Sequence, residues 1–172
     1  MTIHFKSDES LQELLNKKIE AEDEIERIVR NNKFRFSKKK FVADLGEYYF
    51  YINVREIFKT LEQSEESNAD FDFKGILKND LAAEFGFPSD TEIKVEIKTR
   101  YHQKGKNQIF GLKPSKFDIL AFVSLDKNYR CHYVGLIKST DLRPDKQNRI
   151  VFTALCNEGK KLWPPNEYVE FQ

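Results

Sequence analysis

Apolar positions along the chain switch period, from helical spacing in the first third to alternation in the rest. Ser10-Leu11-Gln12-Glu13 has the form of a capping box. Leu11, Leu14, Leu15, Ile19, Ile25, Ile28 and Val29 then recur at helical intervals to about Arg30, opposite a face dense in Glu and Lys. Such a helix either packs on its own core or pairs with a second copy. A second helix is predicted after Ser37, a candidate N-cap, with a buried side running from Phe41 and Val42 through Leu45 and Ile52 to Leu61.

Beyond the polar stretch 63–68 the period falls to two. A strand is predicted over 69–75 and a short helix from Leu81 to Phe85, with Gly86 as its C′ residue. A second strand covers Glu92 to Arg100, where Ile93, Val95 and Ile97 alternate with charges at 92, 94, 96, 98 and 100. Phe117 to Leu125 and Tyr129 to Ile137 read as a hairpin turning at Asp126-Lys127-Asn128, and Ile150 to Leu155 as a further strand. Helices first and strands later imply an α+β fold with a mixed central sheet. At 172 residues the chain is expected to form one domain, with a helical extension at 1–36, a core at 38–137 and C-terminal strands and tail at 138–172.

Composition narrows the partners little, because a chain of formal net charge +1 names none. The distribution of charge says more. Glu62 to Glu92 holds nine acids against two lysines, whereas Lys98 to Lys116 holds six Lys/Arg, one His and no acid. A metal site beside a phosphate-binding surface needs such a switch; two solvated loops of opposite sign would show it too. Cys131 and Cys156 lie outside any CxxC or Cys/His cluster, which argues against zinc. No signal-peptide pattern is present, and no apolar run approaches the ~18 residues of a membrane span, so a cytoplasmic setting is expected.

The candidate chemistry lies on the alternating segments. Ala69-Asp70-Phe71-Asp72-Phe73 offers carboxylates opposite phenylalanines, and Glu96 and Lys98 project from one side of the next strand, about 7 Å apart. If the two strands pair so that these faces coincide, Asp70 or Asp72 together with Glu96 can bind Mg²⁺, which takes hard oxygen ligands. Lys98 would then orient a water and offset charge on a pentavalent phosphoryl transition state.

The residues Asp70-Phe71-Asp72 followed by Val95-Glu96-Ile97-Lys98-Thr99, with Glu47 on an upstream helix and Phe117-Asp118-Ile119-Leu120-Ala121-Phe122-Val123 as a later core strand, resemble the PD-(D/E)xK nuclease superfamily. The resemblance spans roughly residues 38 to 137 and is closest to type II restriction endonucleases. It implies an αβββαβ core, Mg²⁺ (or Mn²⁺) bound by the acid at 70 or 72 and by Glu96, Lys98 assisting the attacking water, and Glu47 adding to the metal shell. No proline precedes either aspartate, Glu92-Ile93-Lys94 repeats the motif in the same register, and residues 76–91 are an insertion relative to the family pattern. Arg100, His102, Lys104, Lys106 and Asn107, with Lys38 and Lys39 at the second helix, are candidates to grip DNA. The loops 101–108 and 139–149, the latter with Asp141, Arg143, Asp145, Lys146, Gln147, Asn148 and Arg149, are candidates for base readout. The function expected is Mg²⁺-dependent cleavage of double-stranded DNA by a homodimer. A homing or repair nuclease of the same fold, or a nucleic-acid-binding module without catalysis, are the alternatives.

Overall fold

The computed structural model describes residues 9–31, 39–64, 70–101 and 108–163. Helices α1 (Glu9–Asn31) and α2 (Lys39–Val54) precede strands β1 (Phe58–Gln63) and β2 (Phe73–Leu77), the short α3 (Asn79–Glu84), and the long β3 (Glu92–Tyr101). After β4 (Gln108–Ile109) come β5 (Ile119–Leu125), β6 (Cys131–Lys138), β7 (Ile150–Val151), α4 (Phe152–Glu158) and β8 (Lys160–Trp163). Six strands form one sheet in the order β1-β2-β3-β5-β6-β8, and β4 pairs with β7 in a separate ribbon. β3 and β5 run parallel, and their neighbours run antiparallel, so the sheet is mixed and the fold is α+β.

Alternation on β3 decides which layer each residue joins. Ile93, Val95 and Ile97 turn to the side covered by α1 and α2, together with Ile119, Ala121 and Val123 of β5. Leu120 and Phe122 turn to the other side, against Leu112, Phe152 and Leu155. All seven residues of β5 are therefore buried, as suits a strand covered on both faces. The Phe122 ring fills a slot between Gly135 and Gly159, where an added Cβ would approach it to 2.3 and 2.6 Å. Removing that ring would cost about 3–5 kcal/mol.

α1 is held by fewer contacts. Leu15 is buried, and so is Glu22, whose carboxylate accepts the Tyr129 hydroxyl at 2.5 Å and pairs with Lys18 at 2.8 Å. The Lys18 ammonium also lies 4.0 Å from the centre of the Phe41 ring, tying α1 to α2. Leu14 and Ile25 are exposed. α1 starts at Glu9, one residue ahead of the proposed capping box, and Ser37 and Lys38 lie outside the described residues.

Three elements differ from the sequence reading. The second helix stops at Val54, and Phe58–Gln63 is an edge strand rather than its last turns. Ile57, Phe58 and Leu61 have helical spacing, but pairing with β2 supplies this segment's backbone hydrogen bonds. The strand expected at 69–75 lies at Phe73–Leu77, so both aspartates precede it. Ile150–Leu155 is a two-residue strand running into α4, because Phe152 and Leu155, three apart, both reach the core. Between the parallel strands β3 and β5, the described residues hold the strand β4 and a 3₁₀ turn at Pro114–Lys116 where the family pattern has a helix. Among the described residues, no helix is long and apolar enough to cross a membrane.

Candidate active site

β2 pairs with β3 only as far as Phe73 opposite Val95, while β3 continues to Tyr101 alongside β5. A notch opens where β2 leaves. Asp72 fills its inner corner: its own N–H bonds to the Val95 carbonyl at 2.9 Å, and its Oδ2 accepts the Ile97 N–H at 2.6 Å. The carboxylate thus takes the place of the next carbonyl of β2, and this bond fixes its direction.

Glu96 follows on the adjacent position of β3. Its Oε1 accepts from the Lys98 ammonium at 2.5 Å, two residues along the same side of the strand. Glu47 arrives from α2, which packs so closely on β3 that Gly46 faces Thr99 directly. Its Oε2 accepts from the Gln63 side chain at 2.9 Å, at the very end of β1. Asp72 and Glu96 thus flank Ile97 and Lys98 at the notch, and Glu47, on the helix that covers the other side of β3, lies within reach of their charges.

Their charges are felt mutually. Burial, and next the charge of Asp72, hold the Glu47 carboxyl above the ordinary carboxylate range, against the pull of the Gln63 bond. Burial raises Asp72 as well, opposed by the Ile97 N–H and by Lys98. Glu96 is raised by burial, lowered by Lys98, and raised again by Asp72 and Asp70. Burial is the largest cause of the upward shift in all three, and acid–acid repulsion adds to it at Glu47 and Glu96.

The donor set suits a hard divalent cation. The hydrogen bonds described above use one oxygen of each acid, leaving Oδ1 of Asp72, Oε2 of Glu96 and Oε1 of Glu47 outside them. Among the described residues, no three acidic, histidine or cysteine side chains converge closely enough to enclose an ion by themselves. Mg²⁺ does not require that, since it commonly takes one or two carboxylates and completes its shell with water and phosphate.

The structure separates the two aspartates that the sequence left undivided. Asp70 is exposed and pairs with Lys116 at 3.3 Å, whereas Asp72 is half-buried on the Ile97 N–H. Arg100 shares the Glu96 and Lys98 side of β3, where its guanidinium lies 5.4 Å from the centre of the Phe152 ring and burial draws its pKa down. Lys39 opens α2, about 12 Å along the helix axis from Glu47. His102, Lys104, Lys106 and Asn107 lie outside the described residues, as does Lys38.

The proposed readout stretch 139–149 is partly occupied with its own folding. Arg149 pairs with Asp145 at 2.7 Å, and Arg143 donates to the carbonyls of Thr140 and Leu142; Asp141, Arg143, Asp145, Lys146, Gln147 and Asn148 are exposed. Two contributors had no motif to betray them. Gln63 orients Glu47, and Lys116 stands beside Asp70; only the acid-free run ending at Lys116 pointed toward the latter. The chain matches no protein-family model and no curated protein.

Proposed function

We propose that this chain is a Mg²⁺-dependent endonuclease that hydrolyses phosphodiester bonds in duplex DNA, in the manner of a type II restriction enzyme. The observation that carries the reading is the joint placement of Asp72, Glu96 and Lys98. One acid is locked onto the Ile97 N–H, the next residue along that strand, Lys98, carries the ammonium, and that ammonium bonds to the second acid. A solvated charged face would give the alternation of β3 but would leave Asp72 in water, whereas it is half-buried on the Ile97 N–H, one residue from Glu96.

In this reading Asp72 and Glu96 hold the cation, and Glu47 adds charge from the far wall. A Mg²⁺ held there would supply Lewis-acid polarisation of the scissile phosphate and stabilisation of the leaving oxygen. Lys98 exchanges its bond to Glu96 for one to the attacking water, orients that water in line, and offsets charge gathering on the phosphoryl oxygens. Cutting both strands calls for two such centres, and a C2 pair on a palindromic site is the simplest arrangement.

The test is nicking of supercoiled plasmid in Mg²⁺ against EDTA, with Glu96→Gln and Lys98→Ala as variants. Loss of cleavage by about 10²-fold or more, with DNA binding kept, is the expected result. A wild-type chain inert in both Mg²⁺ and Mn²⁺, or variants that cut as well as it does, would refute the reading.

A further inference from the structure

The side of β3 that carries Glu96 is bounded by cations at both ends. Lys98 stands at one end. At the other, Lys94 lies 5.3 Å from the centre of the Phe71 ring, and Lys116 meets Asp70. Lys116 is the last residue of the 3₁₀ turn, where its N–H bonds to the Lys113 carbonyl and its side chain is half exposed. It also closes the acid-free run that begins at Lys98. Asp70 stands two residues before Asp72, and Asp118, two residues after Lys116, exchanges bonds with the Lys94 backbone at 2.8 and 2.9 Å, so the Lys116–Asp70 pair is at the rim of the notch rather than on remote surface.

An ion pair exposed on both sides is worth little to stability. Its geometry still places an ammonium within reach of the notch and sets against it a carboxylate, an anion that a phosphate can replace. Resting on the nuclease reading, we infer that Lys116 is a positioning residue that seats a DNA phosphate flanking the scissile one. Asp70 is the anion it holds until DNA arrives. Asp70 then stands in for substrate and is not a ligand of the cation, and its negative charge opposes DNA in the free protein.

The experiment is a double-mutant cycle on full-length protein, titrating a DNA duplex by fluorescence anisotropy in EDTA, where no cutting occurs. Lys116→Ala should weaken binding about tenfold at low salt and flatten the slope of log K against log salt by about 0.9, the signature of one lost phosphate contact. Asp70→Asn should tighten binding severalfold, and the gain should vanish when combined with Lys116→Ala. An unchanged salt slope in Lys116→Ala, or a gain from Asp70→Asn that persists without Lys116, overturns the inference. So does an Asp70→Asn protein that binds DNA but no longer cleaves it, since Asp70 would then serve the cation. Failure of the nuclease reading shows separately, as absent cleavage by the wild type, because the binding cycle needs no cleavage.

Discussion

Gly46 of α2 faces Thr99 of β3 at such close range that a methyl group on residue 46 would sit 1.8 Å from the threonine hydroxyl oxygen. Helix and strand can approach this closely only without a side chain at that point, and Glu47 is the next residue of the helix. Gly46→Ala should cost about 1–3 kcal/mol of stability by overpacking. It should also lower cleavage more than the stability loss explains, because α2 must back away and carry Glu47 with it. Urea denaturation alongside plasmid nicking checks both; an alanine variant of full stability would show that the contact is not tight.

The three raised carboxyls make stability depend on pH and on divalent cation. Between the ordinary carboxylate range and their raised values, the folded protein keeps protons that the unfolded chain has lost. Stability therefore falls as pH rises through that window, and at neutral pH the free protein bears the full cost of holding three half-buried carboxylates ionised. Mg²⁺ should reverse this, by about 2.7 kcal/mol at 100 times its Kd, or several degrees in Tm. Thermal melts from pH 4 to 8, with Mg²⁺ and with EDTA, read both effects. Equal melting points in the two at pH 8 would count against a cation site.

Asp72→Asn separates the two tasks of that residue. The amide oxygen can still accept the Ile97 N–H, so the fold should remain and the divalent-free protein should become more stable at neutral pH. Cleavage should drop by about 10²-fold or more with the carboxylate gone. Asp72→Ala should additionally cost about 1–3 kcal/mol, since it leaves the Ile97 N–H without its partner.

Tyr129→Phe tests how α1 is held. The hydroxyl meets Glu22 in a buried position, and its removal strips one bond from a carboxylate that also pairs with Lys18. A loss of about 1–3 kcal/mol is expected, with hydrogen exchange rising first in α1, which has few buried apolar side chains of its own. Uniform loss of protection across the sheet would mean that α1 is no separate unit.

The part of this architecture legible in the sequence is the part written as a period. Alternation on β3 put Glu96 and Lys98 on one side, and that is where they lie. The choice between Asp70 and Asp72 was not legible, because it depends on register: pairing of Phe73 with Val95 brings Asp72, and not Asp70, beside Ile97. The approach of Glu47 depended on a long-range contact, for which Gly46 inside a helix was the only sign. Phe58–Gln63 and Phe152–Glu158 were misassigned for one reason. Short apolar runs fit either period, and the partner strand or covering layer decides between them.

Where β2 ends, a side chain closes the seam between two strands with the bond a backbone would otherwise make. Any substitution at residue 72 is therefore also an edit to the edge of a sheet. A residue unable to accept the Ile97 N–H would expose part of a strand margin open to pairing with other chains, so solubility should suffer together with activity. Selection for a better catalyst at this position has to stay within the few residue types that can also end a strand.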